Sequence, residues 1–235
     1  EHSVKFRKIP FLRFIENYFY NRYSKIVCIS DGVNKSLSNW VSENISRRLI
    51  TVWNGSRIFS LKNRLPLKSR LPRLISIGSL RDYKNFKTTI KAISKIRHII
   101  DSYTIIGEGP EYAKLLKIIN EEKIENKISL IGWSEEIEKN LHDSDILLIP
   151  SLFEGFGLVA VEGMSTGLPI VASRINGLQE VLGHSNDSIT YVYNITSVNQ
   201  WINGINEAIN KLHHAGTKKI SYLSRKQSQK FSFNK

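Results

Sequence analysis

Residues 151–173, SLFEGFGLVAVEGMSTGLPIVAS, are largely apolar but keep two glutamates, Glu154 and Glu162, with Gly155 and Gly157 just after the first. Glycines at such positions let the backbone approach a ligand closely, because no Cβ stands in the way. A helix starting near Gly157 would present free N–H groups and the positive end of its dipole, which suits a diphosphate. Glu162, one to two turns into that helix, can accept hydrogen bonds from two vicinal hydroxyls, as an acidic residue does on a ribose in dinucleotide-binding folds. The plainer reading of the same pair is one acid favoured by a helix start and one solvated glutamate.

Such a site needs a rigid frame. LISIGSL (74–80), YTIIG (103–107), ISLIG (128–132), ILLIP (146–150), PIVAS (169–173) and ITYVY (189–193) are short apolar runs of strand type. Between them lie helical patterns: Phe86, Ile90, Ile93 and Ile96; residues 111–122; a short helix at 135–142; the helix from Gly157; a short one at 179–182; and 199–212, with Trp201, Ile205, Ile209 and Leu212. Apolar strands alternating with helices predict an α/β, Rossmann-like parallel sheet with helices on both faces. Ligands of such sheets bind beyond the carboxyl ends of the strands, where Gly78, Gly107, Gly132 and Pro150 fall. Residues 1–53 differ, with an aromatic, basic helix candidate, a strand at 26–30, a helix capped by Ser30 or Asp31, and a strand in LITVWNG. Residues 57–73 are polar, basic and punctuated by proline, as in a linker.

The chain has 235 residues, 41% of them hydrophobic, enough to bury a core. Its single cysteine, Cys28, excludes an internal disulfide and fits a reducing compartment. No apolar run reaches the roughly 18 residues that a spanning helix needs, so the expected location is cytoplasmic, with peripheral contact at the inner face of the membrane as an addition. The net charge of +13 concentrates at the flanks: residues 45–73 carry eight basic and no acidic side chains, and residues 211–235 carry seven and none. Without a nucleic-acid-binding signature this reads as a basic rim facing phosphates or anionic headgroups, not as a nucleic-acid binder. Residues 5–25 interleave Lys5, Arg7, Lys8, Arg13, Arg22 and Lys25 with aromatics, which suits either a membrane interface or packing on a further domain.

The order VCIS…VWNGS…ISIGSLRDYKN…IIGEGP…ISLIGW…DILLIPSLFEGFGLVAVEGMSTGLPIVAS resembles the family 4 retaining glycosyltransferases of the GT-B fold over about residues 2–182, with further likeness at KFSF. The resemblance implies transfer of a hexose from a UDP- or GDP-linked sugar to a glycan or lipid-linked acceptor, without cofactor or metal. It assigns Glu162 to the donor's ribose, Glu154 to its sugar beside the reaction centre, and Gly155, Phe156, Gly157 and Leu158 to donor binding. Of the family's two phosphate-binding cations, Lys84 matches directly. Ser79 stands where the arginine is common, and Arg81, two residues on, would reach the same phosphate from a shifted position. Trp133 would stack beside the base, although an aromatic at a strand end is more often core. Ser151 would bond a phosphate or the base. His2, in EHS, resembles a histidine that faces the donor sugar across the cleft. Asp143-Ser144-Asp145 spells a metal-binding D-x-D, but the resemblance makes it structural.

The same resemblance divides the chain. Residues 1–53 would be a remnant of the acceptor-side domain with its crossover, 54–73 a linker, 74–213 the donor-binding domain (the C-terminal half of a GT-B fold) and 214–235 a C-terminal tail or helix. A partner chain supplying the acceptor domain follows if the enzyme is split. The alternatives are a non-catalytic sugar-nucleotide-binding fragment and a UDP-sugar 2-epimerase-like enzyme.

Overall fold

The computed structural model describes residues 10–61, 66–67 and 70–233. In chain order the elements are α1 (Pro10–Tyr20), β1 (Ile26–Cys28), α2 (Asp31–Ser38), α3 (Glu43–Ser46), β2 (Leu49–Thr51), β3 (Arg73–Ile77), α4 (Phe86–Ile96), β4 (Ser102–Ile106), α5 (Tyr112–Glu121), β5 (Ile128–Leu130), α6 (Ile137–His142), β6 (Ile146–Ile149), α7 (Leu158–Ser165), β7 (Ile170–Ser173), α8 (Asn176–Leu182), β8 (Ile189–Val192), α9 (Val198–His214) and α10 (Thr217–Ser228). Strands β3 to β8 form a six-stranded sheet in the order β5-β4-β3-β6-β7-β8, parallel throughout. β1 and β2 pair separately, also in parallel.

Strands β3, β4, β6, β7 and β8 are buried on both faces, which explains why their sequence runs show little alternation, whereas the edge strand β5 leaves Ser129 exposed. In β6, Leu147 and Ile149 join a core layer with α7, α8 and the buried side chains of residues 26–45. Its other residues, Ile146 and Leu148, join the layer under α4, α5 and α9, where Trp201 and Tyr103 are fully buried. The Tyr103 hydroxyl bonds Ser76 and Thr89 in that layer, and burial pushes its pKa up to about 12.

Two segments without apolar periodicity are tied down by polar contacts. Helix α10 seats on the end of α7 through serines: Ser221 Oγ donates to the Gly167 carbonyl at 3.1 Å and Ser224 Oγ to that of Leu168 at 2.6 Å. The Arg225 guanidinium donates to the carbonyls of Phe59 and Ser165, which fixes residues 57–60 alongside α7. Beyond α10, Phe231 packs between Trp53 and Phe156.

Asp145 of the D-x-D triplet is engaged structurally. Its carboxylate is 8% exposed and takes both Nη atoms of Arg70 at 2.6 Å and the Arg73 N–H at 2.8 Å. It therefore ties the approach to β3 to the start of β6. Asp145→Ala strands these donors, and the expected loss is about 2–3 kcal/mol of unfolding free energy. Urea unfolding measures it, and an unchanged midpoint would show that the contact contributes nothing.

Candidate functional site

The strand order reverses between β3 and β6, since β4 and β5 extend to one side and β7 and β8 to the other. A reversal of this kind opens a crevice outside the carboxyl ends of the strands. The loop leaving β3 carries Gly78 to Lys84, and the loop leaving β6 carries Pro150 to Gly157. The two meet: the Leu152 N–H donates to the Tyr83 carbonyl at 2.7 Å, and Lys84 Nζ lies 2.6 Å from Glu154 Oε2. These side chains are only 14% and 17% exposed. Ser151 Oγ adds a longer bond, 3.3 Å, to the same carboxylate oxygen. The Glu154 carbonyl sits so close to α8 that a Cβ on Gly177 would lie 2.1 Å from it, so only glycine fits there.

Helix α7 leaves this crevice. Its N-cap is Gly157, at φ 91° and ψ 58°, a conformation that favours glycine. As a glycine, this N-cap offers no side chain to the helix start. Glu162 is its fifth residue, about 6 Å along the axis. It is half-buried and lines an open cleft of about 630 Å³ with Arg57, Phe59, Ser60, Glu138 and His142. Burial pushes the Glu162 carboxyl above its ordinary value of 4.5, against the pull of Arg57. Ser60 braces the opposite wall: its Oγ and N–H donate to Glu138 at 2.6 and 2.9 Å, and its carbonyl lies 2.9 Å from His142 Nε2. The Ser60 bonds hold the Glu138 carboxyl below the ordinary glutamate range.

The remaining candidates scatter. Arg81 is exposed and lines a separate small depression with Asp82, Asn85, Phe86 and Glu111, and Ser79 Oγ lies 3.4 Å from the Tyr83 hydroxyl. Phe156 is buried against Phe231, so its ring holds the loop in place. Leu158 is exposed at the start of α7. Trp133 is 67% exposed and follows the edge strand β5, so it is not core. His2 lies outside the described residues. Arg57, Phe59 and Ser60 had no candidate role in the sequence, where they fell within the linker. Among the described residues no group of three His, Cys, Asp or Glu side chains gathers as a metal site, and no helix is long and apolar enough to cross a membrane.

The profile of the family described as Glycosyl transferases group 1 matches residues 58–222, well over half of the chain. The chain belongs to this family. Among curated relatives, the N-acetyl-alpha-D-glucosaminyl L-malate synthase of Bacillus anthracis is 29% identical over 164 residues, covering 65% of this chain and 43% of that protein. The chain thus spans less than half the length of this relative. A TarM variant from S. aureus, solved with fondaparinux, alpha-GlcNAc-glycerol and UDP, superposes with a TM-score of 0.82 at 18% identity, covering 99% of this chain and 47% of that one. Anabaena HepE in complex with UDP and glucose gives 0.80 at 17% identity, over 98% and 65%. At these identities the likeness establishes the fold, which is that of GT-B glycosyltransferase structures.

Two outcomes follow from the geometry. A carboxyl whose folded pKa is raised binds its proton more tightly in the folded chain, so the charged form costs stability above the raised value and nothing below 4.5. Glu162→Gln is therefore expected to unfold at higher urea than the parent at pH 7, with the gap closing as the pH falls below 4.5. A double-mutant cycle of Lys84→Met and Glu154→Gln is expected to show a coupling of about 1–3 kcal/mol in unfolding free energy. Additive effects would mean that the two charges do not depend on each other.

Proposed function

We propose that this chain is the donor-binding half of a retaining, metal-independent glycosyltransferase of family 4 type, which transfers a hexose from a UDP- or GDP-linked sugar to a glycan or lipid-linked acceptor. The observation that carries the reading is the meeting of Lys84 and Glu154 at the strand-order reversal, beside the glycine-capped start of α7. The diphosphate lies against the α7 N–H groups and Lys84, which stabilise the negative charge that develops as the bond between the anomeric carbon and the phosphate oxygen breaks. Glu162 accepts the ribose hydroxyls. Glu154 accepts hydroxyls of the sugar, and the acceptor oxygen attacks the anomeric carbon on the face the diphosphate leaves. The UDP held by the TarM variant and by HepE supports a uridine donor. The acceptor site belongs to structure that packs on the β1–β2 ribbon, from the same polypeptide or from a partner chain; the exposed side chain of Ile50 on that ribbon favours such a cover.

Calorimetry with UDP, GDP and a UDP-hexose separates the roles. Glu162→Gln is expected to weaken the free nucleotide by about 1.5–3 kcal/mol, the worth of a charge-assisted hydrogen bond. Glu154→Gln removes the carboxylate that competes for Lys84, so it is expected to leave UDP bound at least as tightly as in the parent and to weaken only the sugar-bearing donor. Lys84→Ala is expected to lose more diphosphate affinity than Arg81→Ala, with EDTA changing neither. Variants that all bind like the parent, or a nucleotide affinity that needs manganese, would contradict the assignment.

A further inference from the structure

Glu180 of α8 neither lines the Glu162 cleft nor bonds Lys84 or Glu154, yet it makes a precise polar contact across the fold. Its Oε1 accepts the Asp31 N–H at 2.7 Å and its Oε2 the Gly32 N–H at 3.1 Å. These are the first two amides of α2, where a carboxylate gains from both the helix dipole and charge-assisted hydrogen bonds. The adjoining residue, Ser30, is fully buried and serves both sides: its Oγ accepts the Val33 N–H at 3.0 Å and donates to the Gly155 carbonyl at 2.6 Å.

Two elements therefore close on one stretch of backbone, Glu154 and Gly155. The Glu154 carbonyl rests against Gly177 of α8, the Gly155 carbonyl is held by Ser30, the N-cap of α2, and Glu180 clamps the start of α2 onto α8. With its backbone held on both carbonyls, Glu154 keeps its carboxylate on Lys84. We propose that Glu180 is a positioning residue: by clamping α2 onto α8 it sets the Glu154–Gly155 backbone, so that the seating of the β1–β2 lobe is sensed at the donor's sugar. This inference rests on the reading of Glu154 as the sugar-binding carboxylate.

The test compares the parent chain with Glu180→Ala and Glu180→Gln in two measurements. Without ligand, the amide signals of Gly155 and Lys84 in ¹H–¹⁵N spectra are expected to move in Glu180→Ala and to return part-way in Glu180→Gln, which keeps one acceptor oxygen. A merely structural role would lower the unfolding midpoint and leave these native-state signals in place. By calorimetry, the affinity of UDP is expected to hold, while the gain from an attached hexose falls about tenfold. Unmoved Gly155 signals, or an unchanged sugar gain, overturn the proposal. If the parent itself gains nothing from the hexose, the donor reading fails, and the Gly155 signals still decide the positioning. Should Glu180→Ala fail to fold, Glu180→Gln alone decides: Gly155 signals shifted from the parent uphold the proposal, and unmoved ones overturn it.

Discussion

Lys84 and Glu154, 70 residues apart in sequence, share one short contact in a crevice where each is less than a fifth exposed. Neither charge is fully hydrated, so each depends on the other: losing Glu154 leaves Lys84 without its ion-pair partner, and losing Lys84 leaves Glu154 with the long Ser151 bond in place of a cation. This mutual dependence draws the β3 and β6 loops together at the point where the sheet reverses. It also gives the proposed chemistry its economy. An arriving diphosphate competes with Glu154 for a cation already partly desolvated, so one anion replaces another at Lys84. The released carboxylate is then free to accept sugar hydroxyls. In the proposed chemistry, one ion pair holds the loops in place before binding and supplies both of its members to the donor afterwards.

The cleft along α7 carries a different cost. Glu162 sits in a half-buried setting that raises its pKa, with Arg57 as the cation opposing the shift. A carboxylate kept where it destabilises the fold is characteristic of a position retained for binding. The surrounding contacts compensate. Arg225 and Ser165 fix residues 57–60 beside α7, and Ser60 pins the wall formed by α6. The cleft is therefore built from three parts of the chain, the crossing segment, α6 and α7, and locked by a fourth, α10.

The large sheet was legible because burial on both faces leaves mostly apolar runs in every strand but the edge strand β5, which exposes Ser129. The glutamates and Lys84 were singled out by their match to motifs that follow those strands, and the structure brings Lys84 and Glu154 within 2.6 Å of each other. Helix α10 was read as a tail or helix without a seat, since it packs through Ser221, Ser224 and Ser228 and so lacks an apolar stripe. Arg57, Phe59 and Ser60 looked like linker because their partners, Ser165 and Glu138, lie 106 and 78 residues away. The Glu180 clamp on α2 spans 149 residues, with no local signal at either end. Trp133 is exposed where strand-end aromatics are usually buried, because β5 is the edge strand and, among the described residues, no further strand pairs outside it.

The central claim is that donor binding takes Lys84 away from Glu154, and a crystal structure of the chain with UDP tests it most directly. The account predicts diphosphate oxygens at the start of α7 within hydrogen-bond distance of Lys84 Nζ, ribose hydroxyls on Glu162, and a Glu154 carboxylate no longer paired with Lys84. UDP bound elsewhere, or bound there with the Lys84–Glu154 contact still closed at its present length, would contradict it.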